Sequence, residues 1–193
     1  MPESIGPTLR ADLLRYCDPG ARYQDTAWSW GTVLKALVSE QGVWAILDYR
    51  FRRWGRELPG PGRRLAAIVG FASRKLVETL TGIQIAGSAD FGAGLFIGHF
   101  GGIIVGEELV VGENCNLSHN VTLGAHRGSP RIGMCCFLGP GARVFGPITI
   151  GDHVAVGANA VINEDVPSFS TAVAGRAEIL EGRGNLVPGE ASD

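Results

Sequence analysis

The chain has 193 residues, of which 45% are hydrophobic and 19% charged, and a formal net charge of −2. This length suits one compact domain plus a smaller appendage and excludes two domains of ordinary size. The near-neutral balance argues against a nucleic-acid partner, and the longest apolar stretch, Leu65 to Ala72, is too short to cross a bilayer.

The opening segment, MPESIGPTLRADLLRY, lacks the basic-then-apolar plan of a secretory signal. Cys17, Cys115, Cys135 and Cys136 show neither metal-ligand spacing nor a disulfide framework, so reduced, buried thiols in a cytoplasmic protein are expected. From Thr8 to about Gly82 the apolar residues recur at helical spacing: Leu9, Leu13 and Leu14, then Val33, Leu34, Leu37 and Val38, then Val43, Trp44, Ile46 and Leu47. Pro59-Gly60-Pro61-Gly62 interrupts the pattern, and a further helix is predicted from Leu65 to Leu80. Residues 1–84 carry 12 Lys/Arg against 8 Asp/Glu, while residues 85–193 carry 5 against 11. A solvated arginine-rich helical face accounts for the split, and contact with an anionic membrane surface is left open.

After Gly82 the period changes. An aliphatic or aromatic residue, usually followed by glycine, returns every six positions: Phe91, Ile97, Val105, Val111, Leu123, Ile132, Leu138, Ile150 and Val156 carry the glycine, and Ile85, Leu117, Val144 and Ile162 keep phase without it. The 29 glycines are about twice the roughly 7% share typical of globular chains. A sustained hexapeptide period marks a parallel β-helix, in which each unit supplies a strand and a turn and stacks its aliphatic side chain on those of the next coil. Glycine is expected to supply the backbone freedom needed at the corners. The predicted organisation is an α-helical region over 1–82, a β-helix over 83–168 and an extension over 169–193.

The phase breaks twice. Ile97 to Val105 is a step of eight residues and Leu123 to Ile132 a step of nine. Insertions in a solenoid open as loops, commonly on one functional face, and both breaks hold a histidine, His99 and His126. His99 lies two residues after Ile97, and His119 lies two after Leu117. Three repeats complete a coil, so the two imidazoles should project from one edge on adjacent coils. An imidazole, with an ordinary pKa near 6.5, suits general-base work at neutral pH.

The segments Gly98-His99-Phe100-Gly101-Gly102-Ile103-Ile104-Val105-Gly106-Glu107 and Asn120-Val121-Thr122-Leu123-Gly124 resemble those of hexapeptide-repeat acyltransferases of the serine acetyltransferase group. Asp48-Tyr49-Arg50 and Trp54 extend the similarity, which covers roughly residues 42–175. The resemblance implies a left-handed parallel β-helix, a homotrimer that could pair into a dimer of trimers, active sites between subunits and acetyl-CoA lying along a solenoid edge. It makes His99 the base that deprotonates an acceptor hydroxyl. It brings Ala125, Pro140 and Ala158, with the adjacent Gly124, Gly139 and Gly157, to the acetyl-CoA channel. The chain's own spacing makes His126 and Arg127, in the insertion loop, and Glu107 and His119 candidates for acceptor contact; His119 equally suits orienting His99 or a solvated edge position.

Three positions depart from the group's pattern. Gln84 stands where an aspartate would pair with the histidine, Gly98 replaces an acidic residue, and Gly128-Ser129 replaces an Arg-His pair before Pro130. These groups would hold free serine, so the expected acceptor is a sugar or saccharide intermediate, with serine as the alternative. Two other classes compete. Trimeric β-helices that hydrate carbon dioxide bind zinc through three histidines, and His99, His119 and His126 match the number but not the spacing. The lost aspartate also admits a catalytically inactive scaffold. No metal is expected.

Overall fold

A computed structural model describes residues 5–124 and 127–175 of the chain. The N-terminal region folds into α1 (Ile5–Leu14), α2 (Trp30–Ser39), α3 (Gln41–Glu57) and α4 (Gly60–Thr81). Ser29 caps α2 by accepting a hydrogen bond from the Thr32 backbone N–H. The Pro-Gly-Pro-Gly segment separates α3 from α4, with a proline in the first turn of α4, where a missing N–H costs nothing. Gly82, at φ 65°, ends α4 in the left-handed conformation that glycine adopts without strain. Among the described residues no helix is long and apolar enough to cross a membrane.

The remaining strands follow in sequence: β1 (Ile83–Ile85), β2 (Asp90–Phe91), β3 (Phe96–Ile97), β4 (Ile103–Val105), β5 (Val110–Val111), β6 (Asn116–Leu117), β7 (Thr122–Gly124), β8 (Arg131–Ile132), β9 (Phe137–Leu138), β10 (Arg143–Phe145), β11 (Thr149–Ile150), β12 (Ala155–Val156), β13 (Val161–Ile162) and β14 (Thr171–Ala172). Every third strand is a neighbour in space as far as β13, and β14 then joins β12. The first face orders as β1-β4-β7-β10-β13, the second as β2-β5-β8-β11 and the third as β3-β6-β9-β12-β14, all parallel. This is the left-handed parallel β-helix that the hexapeptide period predicts. Its third face runs on past residue 168, because Ala155 and Val156 pair with Thr171 and Ala172.

The in-phase residues form the core. Ile85, Val105, Leu123, Val144 and Ile162 stack in register inside the first face. Phe91, Val111, Ile132 and Ile150 do so inside the second, and Ile97, Leu117, Leu138 and Val156 inside the third. All are buried, and each such side chain contributes about 1.5–3 kcal/mol through removal from water.

The repeat glycines do a different job from the one expected. Gly112 and Gly139 do not have positive φ; that conformation falls instead on residues such as Asn114, Asn120 and Asn159, whose short polar side chains tolerate it. What glycine provides is close approach between coils. A Cβ on Gly112 would lie 2.7 Å from the Gly133 carbonyl carbon, and one on Gly139 would lie 2.7 Å from the Val156 carbonyl oxygen.

Cys115 and Cys136 are buried in the interior on successive coils, their thiols donating to the Gly133 and Gly151 carbonyls at 3.2 and 3.1 Å. The hydrogen bond to Cys136, together with burial, pushes the Cys115 thiol up from its ordinary range. All the cysteines are unbridged, but Cys17 and Cys135 are only half-buried, because they lie on the surface helix connection and at a corner rather than inside the prism.

The helices close the end of the solenoid. The first coil has no preceding coil to receive its outward N–H and C=O groups, and a bare sheet edge of this kind is a liability. Tyr49 donates to Ala89 O at 2.7 Å and accepts from Phe91 N; Tyr16 donates to Ile97 O at 3.1 Å and accepts from Ile97 N. Arg50 donates to Phe91 O and Gly92 O, and Asp12 accepts from Leu95 N. Asp12 and Arg50 also form a buried ion pair at 2.8 Å, with side-chain exposures of 0% and 4%. Burial pushes the Asp12 carboxyl up against the lowering pull of Arg50, as expected where desolvation rivals Coulomb attraction. Asp12→Ala strands Arg50 without its carboxylate and is expected to cost about 3–5 kcal/mol. A urea titration should show this as a lower midpoint at unchanged slope.

Candidate active site

The edge between the third and first faces carries one side chain per coil at the position two residues after the stacked core residue. These are His99, His119, Pro140 and Ala158, following Ile97, Leu117, Leu138 and Val156. His99 and His119 therefore sit on adjacent coils of one edge, as their spacing predicts. Their ring centroids are 5.8 Å apart with the planes at 68°, an edge-to-face contact. His99 is exposed and His119 half-buried.

The local backbone explains how this edge is built. Gly101 and Gly102 turn the eight-residue step at φ 96° and 67°, a path closed to ordinary side chains. Asn120 N–H then donates to Gly101 O at 3.0 Å, Gly141 N–H to His119 O at 3.0 Å and Asn159 N–H to Pro140 O at 2.8 Å. The edge is thus a backbone ladder presenting imidazoles at its first two rungs and small or cyclic side chains at the next two. Phe100, 54% exposed, flanks His99.

Among the described residues no side chain or carbonyl hydrogen-bonds a ring nitrogen of His99. Gln84 does not orient it within the chain: it lies on β1, outward-facing, in register with Ile104. A Cβ at Gly98 would meet the Phe96 ring at 3.0 Å, so this position is occupied by packing rather than by an acidic group.

The second phase break opens elsewhere. Arg127, Gly128 and Ser129 connect β7 on the first face to β8 on the second, a different edge from that of His99. Ser129 Oγ donates to Glu107 O at 2.9 Å, which ties Glu107 to this same second edge. The two breaks therefore do not share one edge, because the four strands between them, β4 to β7, are not a multiple of three on a three-sided prism. His126 and Ala125 lie outside the described residues. Gly124 faces Phe145, whose ring a Cβ there would approach to 2.6 Å, and it too lies away from the His99 edge. Gly139, Pro140, Gly157 and Ala158 do share it. His153 stacks on Phe169 at 4.8 Å on the remaining edge, a structural position.

Asn120 and Asn159, beside the histidine and alanine of the column, went unmarked by the hexapeptide pattern. Asparagine recurring directly after the edge residue was the available signal. Among the described residues no cluster of three potential metal ligands occurs.

A parallel solenoid with a histidine-bearing edge defines the class of hexapeptide-repeat acyltransferases. No family model matches the chain, but full-length relatives do. It is 34% identical over 168 residues to a serine acetyltransferase of Helicobacter pylori, covering 84% of this chain and 90% of that one. It is 32% identical over 163 residues to the serine acetyltransferase of Mycobacterium tuberculosis, covering 82% and 68%. The crystal structure of Neisseria gonorrhoeae serine acetyltransferase in complex with serine superposes with a TM-score of 0.71 at 28% identity, covering 91% and 68%. The chain belongs to the serine acetyltransferase family, and it is an acetyl-CoA-dependent O-acetyltransferase. None of these relatives supports the expected saccharide acceptor; they favour the serine alternative.

Gly139→Ala tests the ladder itself. Its methyl would press on the Val156 carbonyl, and the overpacking is expected to cost about 1–3 kcal/mol, seen as a thermal midpoint several degrees lower.

Proposed function

We propose that the chain transfers the acetyl group of acetyl-CoA to the hydroxyl of serine, with His99 as general base. The observation that carries this reading is the His99–His119 edge contact, at 5.8 Å between centroids, in a chain of this family. His99 accepts the hydroxyl proton as the serine oxygen attacks the thioester carbonyl. A tetrahedral intermediate forms, the carbon–sulfur bond breaks, and the proton held on the imidazole passes to the leaving thiolate, giving O-acetylserine and free CoA. The bland rungs at Gly139, Pro140, Gly157 and Ala158 leave the edge below the imidazoles clear for the pantetheine arm.

The second edge supplies what the first lacks. Arg127 and Glu107 cannot meet His99 within one prism, since they stand on another edge. In a homotrimer with sites between subunits, the Arg127 loop of one copy faces the His99 edge of the next. Arg127 then takes the serine carboxylate in place of the pair replaced by Gly128-Ser129, while the partner copy also covers exposed Phe100 and Ile104.

His99→Ala should leave the fold intact and lower kcat by about 10²–10⁴-fold, the usual loss of a general base; an unchanged rate removes His99 from the mechanism. Release of free thiol from acetyl-CoA, followed with serine and separately with nucleotide-linked sugars, identifies the acceptor. Turnover with serine is expected. Turnover confined to saccharide hydroxyls would overturn the serine assignment and leave the chemistry at His99 standing.

A further inference from the structure

A cleft of about 330 Å³ lies between α3, α4 and the β1–β2 turn, on the helical cap and away from the histidine edge. Four arginines line it: Arg52, Arg56, Arg63 and Arg74. Its floor is tight because small residues bring the helices together. A Cβ on Gly55 would lie 2.8 Å from the Ala66 methyl, and one on Gly70 would lie 2.8 Å from the Cγ of Arg52.

Carboxylates account for only part of this charge. Arg52 pairs with Asp48 at 2.7 Å and Arg74 with Glu78. Arg56 and Arg63 have neither an ion-pair partner nor a hydrogen bond among the described residues. The guanidinium groups of Arg52 and Arg56 nevertheless converge. The point where a Cβ of Gly87 would stand lies 2.5 Å from Nη2 of Arg56 and 3.3 Å from Nη1 of Arg52. Asp48 offsets the charge of Arg52 whereas Arg56 has no such partner among the described residues, and an arginine fork is shaped for the oxygens of phosphate.

The helix supplies a second, independent argument. α4 has no acidic residue in its first turn but carries Arg63 there. The positive end of the helix dipole disfavours a cation and favours an anion, so its 22 residues start with a charge of the wrong sign for the helix alone. Phe71, on the cleft wall and 66% exposed, offers an apolar surface beside the guanidinium groups.

We propose that this cleft binds a phosphate or diphosphate ester, held by Arg56 and Arg63 with help from Arg52 and Arg74, the apolar part of the ligand covering Phe71. The shared chemistry is the phosphate group, whether free in solution or on a lipid headgroup. Calorimetric titration of the full chain with inorganic pyrophosphate, and cosedimentation with phosphatidylglycerol against phosphatidylcholine vesicles, separate the two sources. Saturable pyrophosphate binding identifies a soluble ligand; binding to the anionic vesicles alone identifies a headgroup. Either should weaken at least tenfold in Arg56→Ala/Arg63→Ala, whose exposed positions spare the fold, and recover in part in Arg56→Lys/Arg63→Lys. The KM for acetyl-CoA should not change. The proposal falls if neither probe binds, if the double alanine variant binds as well as the parent, or if that variant raises the KM for acetyl-CoA, which would make the cleft part of the donor site.

Discussion

A solenoid of parallel strands must end, and at its end one coil is left with a full set of backbone donors and acceptors and nothing beneath them. The rest of this molecule depends on how that debt is met. Tyr16, Tyr49, Arg50 and Asp12 reach from the helices to the carbonyls and N–H groups of the first coil. Two of these side chains are charged and buried together, an arrangement that is costly in itself and is tolerated because each partner also satisfies backbone. The helical region is therefore a terminal cap in the sense that repeat proteins require, rather than an independent domain resting beside the β-helix.

Above that first coil the fold was legible from residue spacing. Apolar residues at Ile85, Phe91 and Ile97 begin three columns that run through the described coils, since a period of six in a three-sided prism returns each side chain to its own face. The meaning of the glycines was not legible in the same way. A glycine in a repeat can signal left-handed backbone or close contact, and only the neighbouring coil distinguishes them. At Gly112 and Gly139 it is contact, while Asn114, Asn120 and Asn159 take the unusual conformation. The cap residues were invisible for a related reason: Tyr16 and Tyr49 fit a helical apolar pattern, and nothing in that pattern reveals which hydroxyl will meet a carbonyl of the first coil.

The site divides along similar lines. Counting from the core residue brought His99 and His119 to one edge, and the 5.8 Å ring contact follows from coil spacing. Carrying the same count through the insertions in threes would also have separated the two phase breaks, because β3 closes the third face while β7 closes the first. The roles of Gln84 and Gly98 depended on resemblance instead. Within the chain Gln84 sits on an outward strand position and Gly98 beside Phe96, so among the described residues neither is placed to fix the His99 ring by a hydrogen bond.

Tyr16 grips both backbone groups of Ile97, two residues before His99. The imidazole thus stands at the boundary between cap and solenoid, and its position is set partly by the turn that follows α1. Substitutions that shift the turn after α1 can therefore tilt the His99 ring by small amounts without touching the Gly101-Gly102 turn beside it. The helical end of this chain is thus a place where the geometry of the histidine edge can be adjusted while the repeating body stays as it is.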